Sequence, residues 1–290
     1  MKRLALISDI HGNYKALEAF LEYLTDHPVE GIIGLGDYVT DSPYPERTVE
    51  LLHKMEKQYP CWLLRGNREE YLLDNPGNCK GWKPSSASGV LNYTLQRLTQ
   101  EDLTYFASMP TERKMELEGY PTLYLCHGTP GQVRGNVSEE KGLLQKVLSE
   151  LPCRYLMGGH SHRQEIREHQ GNTYINPGSL GLAVDGVGRK AQFAILTLVS
   201  DKEEGQGSCT AEFLSIDYDI DAFLEDFAES GLDALGMTLN KAVKKNLLTG
   251  VNFVLKCIRA MEAEAARTGR SSISDMPEEY WKPLEERFGL

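Results

Sequence analysis

The stretch LALISDIHGN, residues 4–13, joins an apolar run to a cluster of polar groups, and the fold follows from that junction. Leu4, Ala5, Leu6 and Ile7 are continuously apolar, the pattern of a strand buried on both faces. Ser8, Asp9 and His11 come straight after it. Asn13 then stands where a helix N-cap belongs, because Leu17, Phe20, Leu21 and Leu24 recur behind it at helical spacing. Further along, residues 32–35 and 62–64 are short apolar runs, with an amphipathic stretch at 48–55 between them. The order βαβαβ predicts parallel strands joined by right-handed crossovers.

The alternation continues with strands at 122–126 and 155–157, separated by a helix carrying Leu143, Leu144, Val147 and Leu148 on one face. Residues 165–175 hold a Gly171-Asn172 turn, and 192–199 are rich in β-formers, so antiparallel hairpin strands are expected there. Residues 75–84 are rich in Gly, Pro, Asn and Lys and are expected as a loop, with helices from there to Met109. After a Gly-rich acidic turn at 201–208 and a last strand near Phe213, the chain is helical to its end. Val243, Leu247, Val251, Val254, Leu255 and Ile258 form one apolar stripe at helical spacing. Such a stripe packs on its own domain or meets a partner, which leaves open a homo-oligomer contact through these helices.

The polar residues that stand out all follow predicted strands. They are Asp9 and His11, then Gly36-Asp37, Gly66-Asn67, His127, and Gly159-His160-Ser161-His162. In an open α/β sheet the C-terminal strand ends converge on one edge, where ligands bind. One residue separates Asp9 from His11 and His160 from His162, so an extended backbone would aim each pair the same way. His27, His53 and His169 fall at helix ends or in the hairpin and are assigned no role.

Two carboxylates, four imidazoles and one amide form a mixed oxygen and nitrogen set, suited to Mn, Fe, Zn or Ni rather than Ca. Seven ligands exceed one tetrahedral ion. They match two ions sharing a carboxylate at about 3.5–4 Å separation. Two divalent ions against two carboxylates leave a surplus of about two positive charges, suited to a hydroxide and a phosphate ester.

The ordered series Asp9-x-His11, Gly36-Asp37, Gly66-Asn67, His127 and Gly159-His160-x-His162 resembles the calcineurin-like metallophosphoesterase family. It is most similar to the small bacterial phosphodiesterase branch, whose SDIHGN and NPGS segments stand here at residues 8–13 and 176–179. Each motif alone is weak; five in order, each after a strand, are specific. The resemblance covers residues 1–217, with 218–290 as a C-terminal helical extension outside it. It implies a four-layer α/β/β/α sandwich of two mixed sheets and a dinuclear site at the sheet rim. It also implies that Asp9, His11, Asp37 and His162 hold one metal, and that Asp37 bridges to a second held by Asn67, His127 and His160. Manganese is the favoured ion, and a hydroxide between the metals is expected to attack phosphorus in line.

One position departs from the family pattern. Gly-Asn-His is common there, but this chain has Gly66-Asn67-Arg68-Glu69. Arginine gives up no proton near neutral pH, so Arg68 is expected to stabilise phosphate charge rather than act as an acid, steadied by Glu69. The segment after Asp37 reads Tyr38-Val39-Thr40 and lacks the Asp-Arg-Gly of phosphoprotein phosphatases. Protein phosphatase is therefore a poor alternative, while diadenosine polyphosphate hydrolysis stays open. A non-catalytic scaffold of this fold, like the retromer subunit, should show missing ligands, and here all seven are present. Tyr44 could line the pocket, and among Tyr71, Trp82, Tyr93, Tyr105 and Phe106 most should pack, with one or two able to stack on a base.

Composition sets the outer bounds. The 290 residues are 41% hydrophobic and 25% charged, which excludes a mainly disordered chain. The net charge of −11 disfavours a nucleic-acid polymer as partner and favours a small phosphoester or nucleotide. No apolar run approaches the ~18 residues of a membrane span. The opening MKRLALISD is too short for a signal-peptide core, so a cytoplasmic protein is expected. The six cysteines form no CxxC pair, and Cys61, Cys126 and Cys153 are expected as buried free thiols in a reducing compartment.

Overall fold

In the computed structural model, which describes residues 1–74, 84–137, 140–200 and 207–290, the opening apolar run becomes strand β1 (Lys2–Ile7). Asn13 caps helix α1 (Tyr14–Asp26), its side chain accepting from the Ala16 N–H at 3.0 Å. Strand β2 (Ile32–Gly34), helix α2 (Pro45–Gln58) and strand β3 (Cys61–Leu63) follow, and the three strands pair in parallel in that order. Helices α3 (Asn67–Leu73), α4 (Gly89–Arg97) and α5 (Gln100–Ser108) then carry the chain away.

The next strands do not extend this sheet. Strands β4 (Glu112–Met115), β5 (Leu123–Cys126) and β6 (Tyr155–Met157), with helix α6 (Leu143–Glu150) crossing between the last two, begin a second sheet. The hairpin of β7 (Gln164–His169) and β8 (Asn172–Pro177) completes it in the order β4-β5-β6-β8-β7. Strands β9 (Lys190–Val199) and β10 (Ser208–Asp217) return antiparallel to the first sheet, giving β10-β9-β1-β2-β3. Periodicity identifies a strand but not its partner, which is why one alternating sequence divides into two sheets.

Alternating side chains on β1 explain the layers. Leu4 and Leu6 face inward with Ile33 and Leu35, and meet Leu123, Leu125 and Met157 of the second sheet. Ala5 and Ile7 face outward against Leu17 and Phe20 of α1 and Leu52 of α2. On the far side, Leu144 and Leu148 of α6 cover Leu156 and Tyr174. The result is the four-layer α/β/β/α sandwich.

The helical extension comprises α7 (Ile220–Glu229), α8 (Leu232–Thr249), α9 (Phe253–Arg267) and the short α10 (Glu278–Trp281) and α11 (Pro283–Phe288). The single apolar stripe expected over residues 243–258 is corrected here. Gly250, with φ of +65°, ends α8, and a new helix starts at Phe253. Val243 and Leu247 enter a core with Phe223, Phe227, Tyr14 and Tyr93. Val251 lies between the helices, and Val254, Leu255 and Ile258 stay partly exposed on α9. Glycine at the break was the sequence signal for this stop.

Residues 75–83 and 201–206, where the Gly-rich loop and the acidic turn are expected, lie outside the described residues, as do Cys79 and Trp82. The five described cysteines are free thiols; Cys126 is buried, whereas Cys61 and Cys153 are only half-buried. Among the described residues no helix is long and apolar enough to cross a membrane.

Candidate metal centre

Asp9 follows β1, Asp37 follows β2, Asn67 opens α3 after β3, His127 follows β5, and His160 and His162 follow β6. The two sheets therefore deliver their strand ends to one rim, and these six residues meet there with His11, the seventh singled out in the sequence. Two groups form: Asp9, His11 and His162, and Asp37, His127 and His160, each with its candidate ligand atoms within 4.8 Å of one another. Asn67 Oδ1 joins the second, 3.1 Å from His127 Nε2.

The backbone that aims these side chains is not the extended one expected. Asp9 and His11 have φ of 56° and 50°, and His160 and His162 have 65° and 57°; Asp37, at 56°, is the fifth of the seven in the left-handed region. Left-handed backbone at non-glycine residues costs about 1–3 kcal/mol each and collects at functional sites. Sequence spacing shows two residues on one loop but not the sharp turn between them. Gly66 is required by contact instead: a Cβ there would collide with Asp37 Oδ1.

Every imidazole with a resolved Nδ1 contact is anchored through that atom. His11 Nδ1 meets Asp41 Oδ2 at 2.9 Å, His127 Nδ1 meets the Leu35 carbonyl at 2.9 Å, and His162 Nδ1 meets the Leu182 carbonyl at 2.7 Å. Each acceptor fixes the tautomer and leaves Nε2 for the centre, the arrangement that orients metal-ligating histidines. The carboxylates follow the same logic. Asp9 Oδ2 accepts from the His160 N–H at 3.0 Å, and Asp37 Oδ1 accepts from the Arg68 N–H at 2.8 Å. Their other oxygens face inward: Asp9 Oδ1 is 3.3 Å from His162 Nε2, and Asp37 Oδ2 is 3.4 Å from His127 Nε2.

The electrostatics are those of a site that attracts cations. Burial disfavours the His11 imidazolium, but the hydrogen bond to Asp41 and the nearby carboxylates of Asp9 and Asp37 outweigh it and raise the group to about 10. His127 is likewise disfavoured by burial yet raised to about 9 by Asp37 and Asp9. Burial and the neighbouring His127 push His160 down to about 4. Asp37, opposed by burial, is held at about 2 by His127 and His11. Asp9 is also held low, where the charge of His162 and contacts with His11 and His162 outweigh burial.

Two residues outside the seven complete the structure. Asp41, buried, accepts from both His11 Nδ1 and, at 3.1 Å, the Arg68 guanidinium. Glu69, 0% exposed, accepts at 2.8 Å each from the N–H groups of Gly66, Asp37 and Tyr38. The expectation that Glu69 steadies Arg68 is thus corrected. Glu69 clamps the Asp37 and Gly66 loops together, and Arg68 turns to Asp41. An acceptor for His11 Nδ1 was the missing signal for Asp41, and Asp41 lies four residues after Asp37. Within the 176–179 segment, Asn176 donates to the Gly159 carbonyl at 2.7 Å and the Ser179 hydroxyl donates to the Asp9 carbonyl at 2.7 Å. These bonds tie the first and last ligand loops together.

The centre opens into a cleft of about 820 Å³, whose lining includes His11, Asp37, Asn67 and Arg68 and residues of α9. Tyr44 instead stacks under Arg47 at 4.4 Å, while Tyr93 and Phe106 are buried in packing.

Known proteins share this architecture. A hypothetical protein from Pyrococcus horikoshii OT3 superposes with a TM-score of 0.69 at 20% identity, covering 86% of this chain and 99% of that one. A metallophosphoesterase from Sphaerobacter thermophilus gives 0.65 at 24% identity, with the same coverages of 86% and 99%. An uncharacterised protein of Methanocaldococcus jannaschii is 24% identical over 244 residues, 79% of this chain and 93% of its own length. The family model described as the calcineurin-like phosphoesterase superfamily domain matches residues 1–201, the span that holds every residue of the two ligand groups. The chain belongs to the calcineurin-like phosphoesterase superfamily.

Proposed function

We propose that this chain is a dinuclear, divalent-metal-dependent phosphohydrolase, a phosphodiesterase acting on a small phosphoester or nucleotide. The observation that carries the reading is Asp9 Oδ1, a buried carboxylate oxygen with no hydrogen-bond partner among the described residues. It faces the Nε2 atoms of His162, His11 and His127 at 3.3, 3.8 and 4.0 Å. A buried, unpartnered acceptor is costly, and a cation among these atoms would relieve it. Asp9, His11 and His162 would hold one ion and Asn67, His127 and His160 the other, with Asp37 shared. The mixed donor set favours Mn, Fe, Zn or Ni, manganese first.

Divalent ions in such a pair supply Lewis-acid stabilisation of a phosphoryl group and an activated water. The remaining work belongs to the chain itself. Asp37 is held in place by the Arg68 N–H, and the Arg68 side chain, reaching the cleft, stabilises negative charge on the phosphoryl oxygens. Asp41 keeps both Arg68 and His11 in register.

The test is metal analysis joined to turnover. Purified protein should carry divalent metal and hydrolyse members of a panel of phosphomonoesters, diesters and nucleotides, lose activity in EDTA, and regain it with Mn²⁺. Asp37→Asn should lose one or both ions and nearly all turnover while staying folded. Wild-type metal content and rate in that variant would overturn the shared-ligand assignment. Bound metal without turnover across the panel would favour the non-catalytic scaffold.

A further inference from the structure

The cleft is far larger than a phosphate group needs. Its 820 Å³ falls in the range of pockets that enclose a whole organic ligand. The helical extension contributes Val254, Leu255, Ile258 and Arg259 of α9 to its lining, which is otherwise mostly polar. Leu255 and Ile258 are the part of the apolar stripe that no core absorbs, since Val243 and Leu247 are buried and Val254, though partly exposed, packs against two cores. A second cavity of about 660 Å³ adjoins, sharing Arg163, Glu165, Val184, Asn252, Leu255 and Arg259 with the first. The cleft therefore runs on past Leu255.

The wall is fixed to the metal centre through the backbone. His162 Nδ1 bonds the Leu182 carbonyl, and Leu182 opens the segment that leads to Gly186. The Gly186 N–H donates to the Gly250 carbonyl at 2.8 Å, and the Arg189 N–H donates to the Leu247 carbonyl at 2.7 Å. Asn252 then caps α9, accepting from the Leu255 N–H at 2.9 Å. Leu255 and Ile258 are thus held at a set position relative to His162.

We infer that α9 forms a subsite for the organic substituent of the substrate, with Leu255 and Ile258, beside Val254, as its apolar wall. The inference rests on the phosphoesterase reading and adds the substrate class: a phosphoester whose esterified group presents an apolar body, such as an aromatic ring. The helical extension is on this account a part of the binding site.

The test compares equilibrium binding of 1-naphthyl phosphate and inorganic phosphate to the full-length, metal-loaded protein by calorimetry. Wild type should prefer naphthyl phosphate by about tenfold or more, the value of burying one or two apolar groups. Leu255→Ser and, independently, Ile258→Ser should bring that ratio close to about one. Leu248→Ser, an exposed position on α8 that does not line the cleft, should leave the ratio unchanged. A wild-type ratio near one, or a ratio unmoved in both α9 variants, overturns the subsite while phosphate binding keeps the phosphoesterase reading intact. Absence of phosphate binding and of phosphoester turnover in wild type would overturn both together.

Discussion

Asp41 and Arg68 stand 3.1 Å apart, carboxylate to guanidinium, and the same Asp41 oxygen lies 2.9 Å from His11 Nδ1. One buried acid thus orients the imidazole proposed as a metal ligand and the cation expected to meet the phosphate. Its carboxyl is held well below the usual range: burial opposes ionisation, but Arg68 and His11 outweigh it. Asp41→Ala should weaken metal binding by about 10–100-fold, the usual effect of removing a partner behind a ligand. Asp41→Asn keeps an acceptor for His11 and should fall between. Chelator competition reads the order directly, and wild-type affinity in the alanine variant would sink the idea.

The protonation pattern gives a second prediction for metal-free protein. His11 and His127, raised to about 10 and about 9, contribute stability that is full below their unfolded value of 6.5 and is lost as pH rises through those values. Glu69 acts in the same direction: burial and Asp37 raise it from 4.5 to about 7, so its contribution is lost as pH climbs through that window. His160, pushed down to about 4, acts on the acid side only. The melting temperature in EDTA should therefore fall from about pH 6 to about pH 10. Metal ions replace the imidazole protons, so with saturating Mn²⁺ the alkaline fall should shrink or vanish. Parallel curves in both conditions would contradict this account.

A third prediction separates the fold of the extension from the chemistry of the rim. Phe227 is 0% exposed and packs with Phe223, Tyr14 and Tyr93, joining α7 to α1 and α4. Phe227→Ala should cost about 3–5 kcal/mol and leave metal stoichiometry intact. A chain ending at Asp217 would uncover Tyr14, Tyr93 and Leu182 and should lose solubility or thermal stability. If denaturation shows either variant as stable as the full chain, this shared core is not a stabilising one.

Strands, caps and the polar residues of the rim were legible in the sequence because each depends on local chemistry. Four apolar residues before Asp9 must be buried, and Asn13 caps α1 with its own side chain. The division into two sheets was not legible from periodicity, because Leu4 and Leu123 share one core across 119 positions of chain. Nor were the left-handed turns at Asp9 and His160, where tertiary bonds such as His160 N–H to Asp9 Oδ2 hold conformations that these residue types do not prefer. The bonding of Asp41, the clamp made by Glu69 and the lining of the cleft by α9 escaped notice for one reason. They act on neighbours brought close only by folding, so no spacing announces them.

The last prediction concerns Arg68 and rests on its inability to act as an acid. Its guanidinium pairs with buried Asp41, whose charge keeps it protonated against the opposing effect of burial. If no proton reaches the leaving group from this position, hydrolysis should favour esters whose leaving groups depart readily as anions, aryl phosphodiesters and phosphoanhydrides over alkyl esters. Arg68→Ala should lose about 10² in rate through lost stabilisation of transition-state charge. Arg68→His should recover part of that loss and widen the range of leaving groups, because an imidazole beside Asp41 can donate a proton near neutral pH. The measurement is rate against leaving-group pKa for the three proteins. Wild type should show a steep dependence and the histidine variant a shallower one. A flat dependence in wild type would mean that another group supplies the proton, and the purely electrostatic role of Arg68 would be wrong.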